Sequence, residues 1–383
     1  MSSGRRRAVL AIAGPLIATA VVAGCGSTPA ASPAPSAVPA APPPLATSFA
    51  DGTGPGWTIV EMGGSAAQEE NFWEMFTRAA GSATWRLATP LGVADNGGLV
   101  VTGTGPQSLL TGFLPSQDLT FSPLAASSDS GASWSSASPV SPGLADVPDA
   151  LAAAPDGELI ALTSGGAELS QNGGGTWTHL STAGALAATP AGKTCQVTGL
   201  TATAFTTSGA PMLGAGCGRP GVAGIFADSA GGWHTAGPTL PAALAREDIE
   251  VLRLAPAGTG LVALLQAGTG PDASVLAAWY DGGRWTLSAP LRAPTVRSTA
   301  LGPDGSLGII LNATHAATLA GPGGSWRALP ALPQWAATLA LGTSGQVDAI
   351  AAHAGTFTDW RLAPSGWSEQ QTIHVTIPYG SSS

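Results

Sequence analysis

Seven tryptophans, at positions 85, 134, 177, 233, 285, 326 and 367, return at intervals of 41 to 56 residues, nearly all directly after a glycine-rich stretch. A period of that length belongs to a supersecondary unit that cannot bury its own apolar face and stacks on its neighbours to do so. Between the tryptophans lies a second repeat, a short apolar strand, a glycine turn and another strand. Examples are Leu151 to Ile160 and Thr299 to Ile310, each turning at Asp-Gly, together with 254–265, 339–350, 205–216 and 93–101. Asp-Gly between apolar runs is a hairpin signal, because the glycine supplies the positive φ of a tight turn. With 53 glycines and 32 prolines in 383 residues, the chain suits many short strands rather than long helices.

Two units carry a fuller pattern, Ser127-Ser128-Asp129-Ser130-Gly131-Ala132-Ser133-Trp134 and Ser170-Gln171-Asn172-Gly173-Gly174-Gly175-Thr176-Trp177. Both resemble the Asp-box, the bacterial neuraminidase (BNR) repeat. In such a hairpin turn Asp129 or Asn172 accepts backbone N–H groups, Gly131 or Gly174 takes positive φ, and Trp134 or Trp177 enters the next strand and packs between sheets. The spacing and the resemblance give one expected fold: an all-β, seven-bladed β-propeller of four-stranded antiparallel blades. Strands at 57–62, 72–77 and 84–87 supply three members of a split blade, and 372–377 is expected to close it as the inner strand. The aromatic repeat is structural, so removing Trp134 or Trp177 is expected to open a cavity in the core.

The N-terminus is built differently. Arg5, Arg6 and Arg7 precede an apolar run from Ala8 to Ala23, then Val22-Ala23-Gly24-Cys25. A basic start, a short apolar run and small residues before a cut describe an export signal. Val-Ala-Gly-Cys resembles the lipobox of bacterial lipoproteins, which implies cleavage before Cys25 and a diacylglyceryl thioether on it. Two acyl chains anchor a protein stably. The expected organisation is therefore a signal peptide over 1–24, a lipidated cysteine with a Pro/Ala/Ser-rich linker over 25–47, and the propeller over 48–383. In an exported chain the remaining cysteines, Cys195 and Cys217, pair as a disulfide, which would contribute about 3 kcal/mol.

The net charge is −9, and more negative once the leader arginines are set aside. No basic patch exists to hold nucleic acid. The histidines, His179, His234, His315, His353 and His374, have no zinc spacing, and no P-loop, nucleophile elbow or dinucleotide fingerprint occurs. No cofactor or metal is expected. His374, on the closing strand, is a candidate for the central channel. The sialidase resemblance implies three arginines for a carboxylate, a Tyr–Glu nucleophile pair and an acidic general acid. The fit is poor: Tyr280 stands beside the Asp281-Gly282-Gly283 turn, Tyr379 lies in the tail, and no Arg-Ile-Pro segment precedes them.

What remains is the propeller mouth, where outer-to-inner connections converge. Its candidate binding rim is Asp149, Lys193, Arg246, Glu247, Asp248, Arg297 and Trp335, with Asp146, Arg292 and Gln334 alongside and Glu69 and Glu70 in a loop of the split blade. The insert Thr104 to Leu119, with Leu109, Leu110, Phe113 and Leu114, reads as an exposed apolar loop. Three functions fit. The first is a monomeric, membrane-anchored, non-enzymatic binder of a protein or envelope glycan. The second is a divergent glycoside hydrolase or lyase using carboxylates such as Asp149, Glu247 and Asp248. The third is an assembly factor for a membrane complex.

Overall fold

The computed structural model describes residues 46–50, 54–62, 73–91, 99–113, 123–136, 144, 148–258 and 260–375. Cys25, the leader, most of the linker, Asp146, Glu69, Glu70, Leu114 and Tyr379 lie outside them. Among the described residues the chain is a succession of antiparallel meanders, joined mostly by turns and short loops. The first is β1–β4 (Ala46–Phe49, Gly56–Glu61, Trp73–Arg78, Arg86–Leu87), and the second is β5–β8 (Leu99–Gly105, Ser108–Phe113, Leu124–Ser127, Ser135–Ser136). The third is β9–β12 (Ala150–Ala153, Leu159–Thr163, Gly166–Ser170, Thr178–Ser181), followed by two short helices, α1 (Ala183–Ala188) and α2 (Pro190–Cys195). Next come β13–β16 (Val197–Phe205, Pro211–Cys217, Gly224–Ala227, His234–Thr235) and β17–β20 (Ile249–Ala257, Gly260–Ala267, Ser274–Asp281, Arg284–Leu287), with β21 (Leu291–Arg292) added to the edge of β19. The chain continues through β22–β25 (Ser298–Leu301, Leu307–Ile310, Ala316–Leu319, Arg327–Ala328) and ends in β26–β29 (Ala336–Leu341, Val347–His353, Thr356–Ala363, Gly366–His374).

The second strand of most meanders is buried along nearly its whole length, as in β10, β18 and β23. A strand covered on both faces must be apolar throughout, which accounts for the Leu-Ile-Ala-Leu and Leu-Val-Ala-Leu-Leu runs. Core clusters bridge each successive pair. Trp57, Met75, Leu99 and Leu109 join the first meander to the second, and Ile225, Val251 and Leu276 join the fourth to the fifth. Val60, Phe76, Trp85, Ile350 and Phe357 join the last back to the first.

The two Asp-box-like turns are knit by their own side chains. Asp129 accepts from the backbone N–H of Ser133 at 2.9 Å and from its hydroxyl at 2.6 Å, while Ser127 Oγ accepts from Gly131 N–H at 2.7 Å. Asn172 repeats the arrangement on Thr176 N–H at 2.8 Å, with Ser170 Oγ taking Gly174 N–H at 2.9 Å. Gly131 and Gly174 stand at φ +84° and +91°. The hydroxyl and N–H of Ser133 together, aided by Ser127, hold the Asp129 carboxyl down at about 2.

A tryptophan contact then repeats around the molecule. The indole N–H of Trp134, Trp285, Trp326 and Trp367 each donates to an alanine carbonyl on the preceding meander's trailing segment. The partners are Ala88 (2.7 Å), Ala236 (2.6 Å), Ala289 (3.0 Å) and Ala331 (2.9 Å).

Three expectations need correction. Residues 372–374 do not supply the inner strand of a split blade: they belong to β29, which pairs with β28 inside the last meander, and residues 376 and 377 lie outside the described residues. After Trp85, Trp233, Trp285 and Trp326 a Pro-Leu or Leu-Pro pair follows the short outer strand, but Trp367 is followed by Ser-Glu-Gln-Gln-Thr-Ile-His, so the strand runs on. The inner strand of the first meander is instead β1, which takes in residues 46 and 47 of the expected linker. It pairs antiparallel with β2 and parallel with β22, fusing the first and sixth meanders into one eight-stranded sheet. The described part of the apolar insert, 104–113, is not an exposed loop: Gly105 to Ser108 make a turn, and Leu109, Leu110 and Phe113 sit buried on β6.

The helices also escaped the sequence reading. Thr182 and Thr189 cap α1 and α2 by accepting from Ala185 and Gly192 N–H. Gly192 is required, because a Cβ there would meet the Leu186 carbonyl. The Cys195–Cys217 disulfide ties α2 to β14.

Candidate functional site: the rim and the channel

The rim residues chosen from the sequence come from different connections, and the structure gives several of them one station. Asp149, Asp248, Arg297 and Trp335 each immediately precede an inner strand (β9, β17, β22 and β26). Each also closes that strand onto the end of the next one. Asp149 N–H donates to Leu162 O (2.7 Å) and Arg297 N–H to Ile310 O (2.8 Å), while Asp248 O accepts from Gly268 (2.8 Å) and Trp335 O from Ala352 (3.1 Å). Equivalent positions on four of the meanders lie at one end of the inner strands.

Arg246, Asp248 and Arg297 are exposed and Glu247 is half-buried. Lys193 is exposed on α2, in the connection before β13. Arg292 is occupied by Asp272 at 3.0 Å, an exposed pair of small energetic consequence.

Trp335 stands out in this ring. It is 54% exposed and holds φ at +63°, a region that a bulky L-residue enters only under constraint. Its ring stacks on His353 at 3.9 Å and 7°. Beside the pair, Gln334, Thr356, Thr358 and Trp360 line a depression. The other histidines lie elsewhere. His179 contacts Glu168 at 3.0 Å on an outer strand. His374, expected at the channel, is exposed on the outer strand β29 and touches the Thr356 hydroxyl. It faces outward because β29 is an edge strand of its own meander.

Inside the rim, inner strands of the first six meanders line a cavity of about 200 Å³. Asp149 lies at its edge, and Phe49, Trp57, Ile59 and Phe205 supply apolar wall. The hydroxyls of Thr47 and Thr299 stand 3.4 Å apart, and Thr299 accepts from Arg253 Nε at 3.2 Å. Burial lowers the Arg253 guanidinium to about 10. Of the carboxylates that a hydrolase would need, Asp149 lines the cavity and Glu247 and Asp248 do not.

The sequence reading missed Arg253. The available signal was one cation inside the apolar run Val251-Leu-Arg-Leu-Ala. It also missed a charged cluster between the first and last meanders. Asp348 is fully buried and accepts from Arg78 (3.3 Å), from Arg361 (2.9 and 3.2 Å) and from Gln346 (2.8 Å). Asp359, equally buried, completes no hydrogen bond of normal geometry, nor does the Trp85 indole N–H near it. Burial, reinforced by the Asp348 charge, pushes the Asp359 carboxyl up to about 7.

No protein-family model matches the chain, and no curated relative does. Solved structures do. A protein from Lactobacillus plantarum aligns over 84% of this chain and 96% of its own, at 15% identity and a TM-score of 0.51. YCF48 bound to D1 peptide aligns over 88% and 95% at 15% identity and TM-score 0.44, and virginiamycin B lyase from Staphylococcus aureus over 75% and 88% at 11% and 0.44. At such identities the likeness concerns fold alone; the successive four-stranded antiparallel meanders, each packed on the next and the last on the first, make this chain a β-propeller.

Proposed function

We propose that the protein is an exported lipoprotein, anchored through Cys25, whose seven-bladed propeller with Asp-box turns binds a protein or envelope glycan at its rim and does not catalyse a reaction. Each half of the eight-stranded sheet counts as one blade in this reading. The observation that carries it is the shared station of Asp149, Asp248, Arg297 and Trp335, crowned by an exposed tryptophan held in a costly backbone conformation. Exposed aromatics and charges around a concave opening are suited to recognition.

The test uses the purified full-length protein on a glycan array and in envelope crosslinking, beside two variants. One is Trp335→Ala and the other combines Arg246→Glu, Glu247→Lys and Asp248→Lys. A glycan or a crosslinked protein held by the wild type and lost by either variant supports the rim. Identical profiles for all three proteins would remove it. The anchor is tested separately: Cys25→Ser should move the chain from the detergent phase to the aqueous phase in a phase-partition assay.

A further inference from the structure

The channel wall carries a positive charge, Arg253, that no carboxylate among the described residues pairs with. Arg253 lies on β17 just past a bulge between Val251 and Arg253, where Leu252 is the extra residue. A bulge re-aims the side chains around it, and both Leu252 and Arg253 line the cavity. The neighbouring inner strand β13 bulges between Leu200 and Ala202, and there Thr201 Oγ donates to Val251 O at 2.7 Å. Among the described residues Arg253 forms no ion pair, and its side-chain hydrogen bond goes to the neutral Thr299 hydroxyl. A half-buried guanidinium without a carboxylate partner, set in a largely apolar wall, costs stability relative to an apolar side chain there. At neutral pH it nevertheless stays charged.

We propose that this channel is a binding site for a small organic acid, whose carboxylate pairs with Arg253 beside the Thr299 hydroxyl while its apolar body lies against Trp57, Ile59 and Phe49. Guanidinium and carboxylate match as planar, bidentate partners. A single cation calls for a monoanion, because a dianion would leave one negative charge buried and unpaired. The cavity, about 200 Å³, has room for roughly a dozen waters or a ligand of comparable bulk. The site stands on the inner strands and does not depend on a macromolecule at the rim.

The experiment is calorimetric titration of the full-length protein in detergent with benzoate and hexanoate, against benzamide and hexanamide, in buffer free of organic acids. The acids should bind at least about tenfold more tightly than the amides. Arg253→Gln should abolish the preference and Arg253→Lys should keep part of it. Urea unfolding adds a ligand-free test. Arg253→Met should unfold at a higher urea concentration than the wild type, and benzoate should raise the midpoint of the wild type alone. Equal binding of acids and amides, no binding of either acid at millimolar concentration, or a lower midpoint for Arg253→Met would each overturn the proposal.

Discussion

Two kinds of joint hold the meanders side by side. At four joints between consecutive meanders the contact is neutral and repeated, an indole N–H from Trp134, Trp285, Trp326 or Trp367 given to an alanine carbonyl. The joint between the last meander and the first is made otherwise. There the Arg78 guanidinium lies over the Trp85 ring at 4.6 Å, and Phe357 stacks on Phe76 at 4.0 Å. The Gln371 amide clamps the Trp85 backbone, accepting from its N–H (2.8 Å) and donating to its carbonyl (2.9 Å). Asp348 holds two arginines from the two sides. A Trp–Ala contact would fit many pairs of meanders. The charged seam fits one pair, and a wrong pairing would strand buried charge at high cost. The difference teaches that neighbours in sequence need little to identify each other, whereas partners some 270 residues apart are matched by chemistry peculiar to them.

Four measurements can break or sharpen that contrast. The largest effect is expected for Asp348→Ala, which leaves Arg78 buried, and Arg361 half-buried, without their carboxylate. Loss of about 3–5 kcal/mol in urea unfolding is expected, and a loss similar to that of an ordinary joint would erase the distinction. Asp359→Asn comes next and acts in the opposite direction. A folded-state carboxyl raised to about 7 keeps its proton while the unfolded chain, with its ordinary value near 3.8, gives it up. Wild-type stability should therefore be fully present below pH ~4 and fall as pH rises toward ~7, by a few kcal/mol. The Asn variant should be the more stable protein at pH 8 and lack this slope; parallel curves would show that the seam does not hold the proton. Trp134→Phe, at an ordinary joint, removes one hydrogen bond and leaves the Ala88 carbonyl unpaired, for a cost of about 1–2 kcal/mol. Smallest of all, Asp129→Asn should leave the urea midpoint at pH 7 close to that of the wild type, because Asn172 holds the equivalent turn in the same way. A larger loss would mean that the turn uses the charge.

What was legible in the sequence divides along the same line. The meanders announced themselves through Asp-Gly turns and a recurring tryptophan because the strand pairs inside each are local, none reaching beyond the 22 residues between Gly56 and Arg78. The stations of Asp149, Asp248, Arg297 and Trp335 were legible too, since they follow the connections that end each repeat. β1 was not, because its four residues adjoin a Pro/Ala-rich tract and take their partner, Thr299 for Thr47, from 252 positions away. Asp348 and Asp359 lie in ordinary-looking alternating strands, and only the fold shows that both face Arg78. Arg253 was hidden by the opposite problem: one charge among leucines looks like an edge residue until the bulge turns it toward the channel.

β1 also decides how the molecule bears load. Its register holds Ala46 to Phe49 against Ser298 to Leu301 on one edge and residues 47–49 against Trp57 to Ile59 on the other. A pull applied at residue 46 along the strand strains these pairs together, in shear, instead of peeling them one by one. Force entering from the N-terminal side therefore meets a clasp that spans the first and sixth meanders at once. Resistance to such a pull is set by the rate at which that clasp opens.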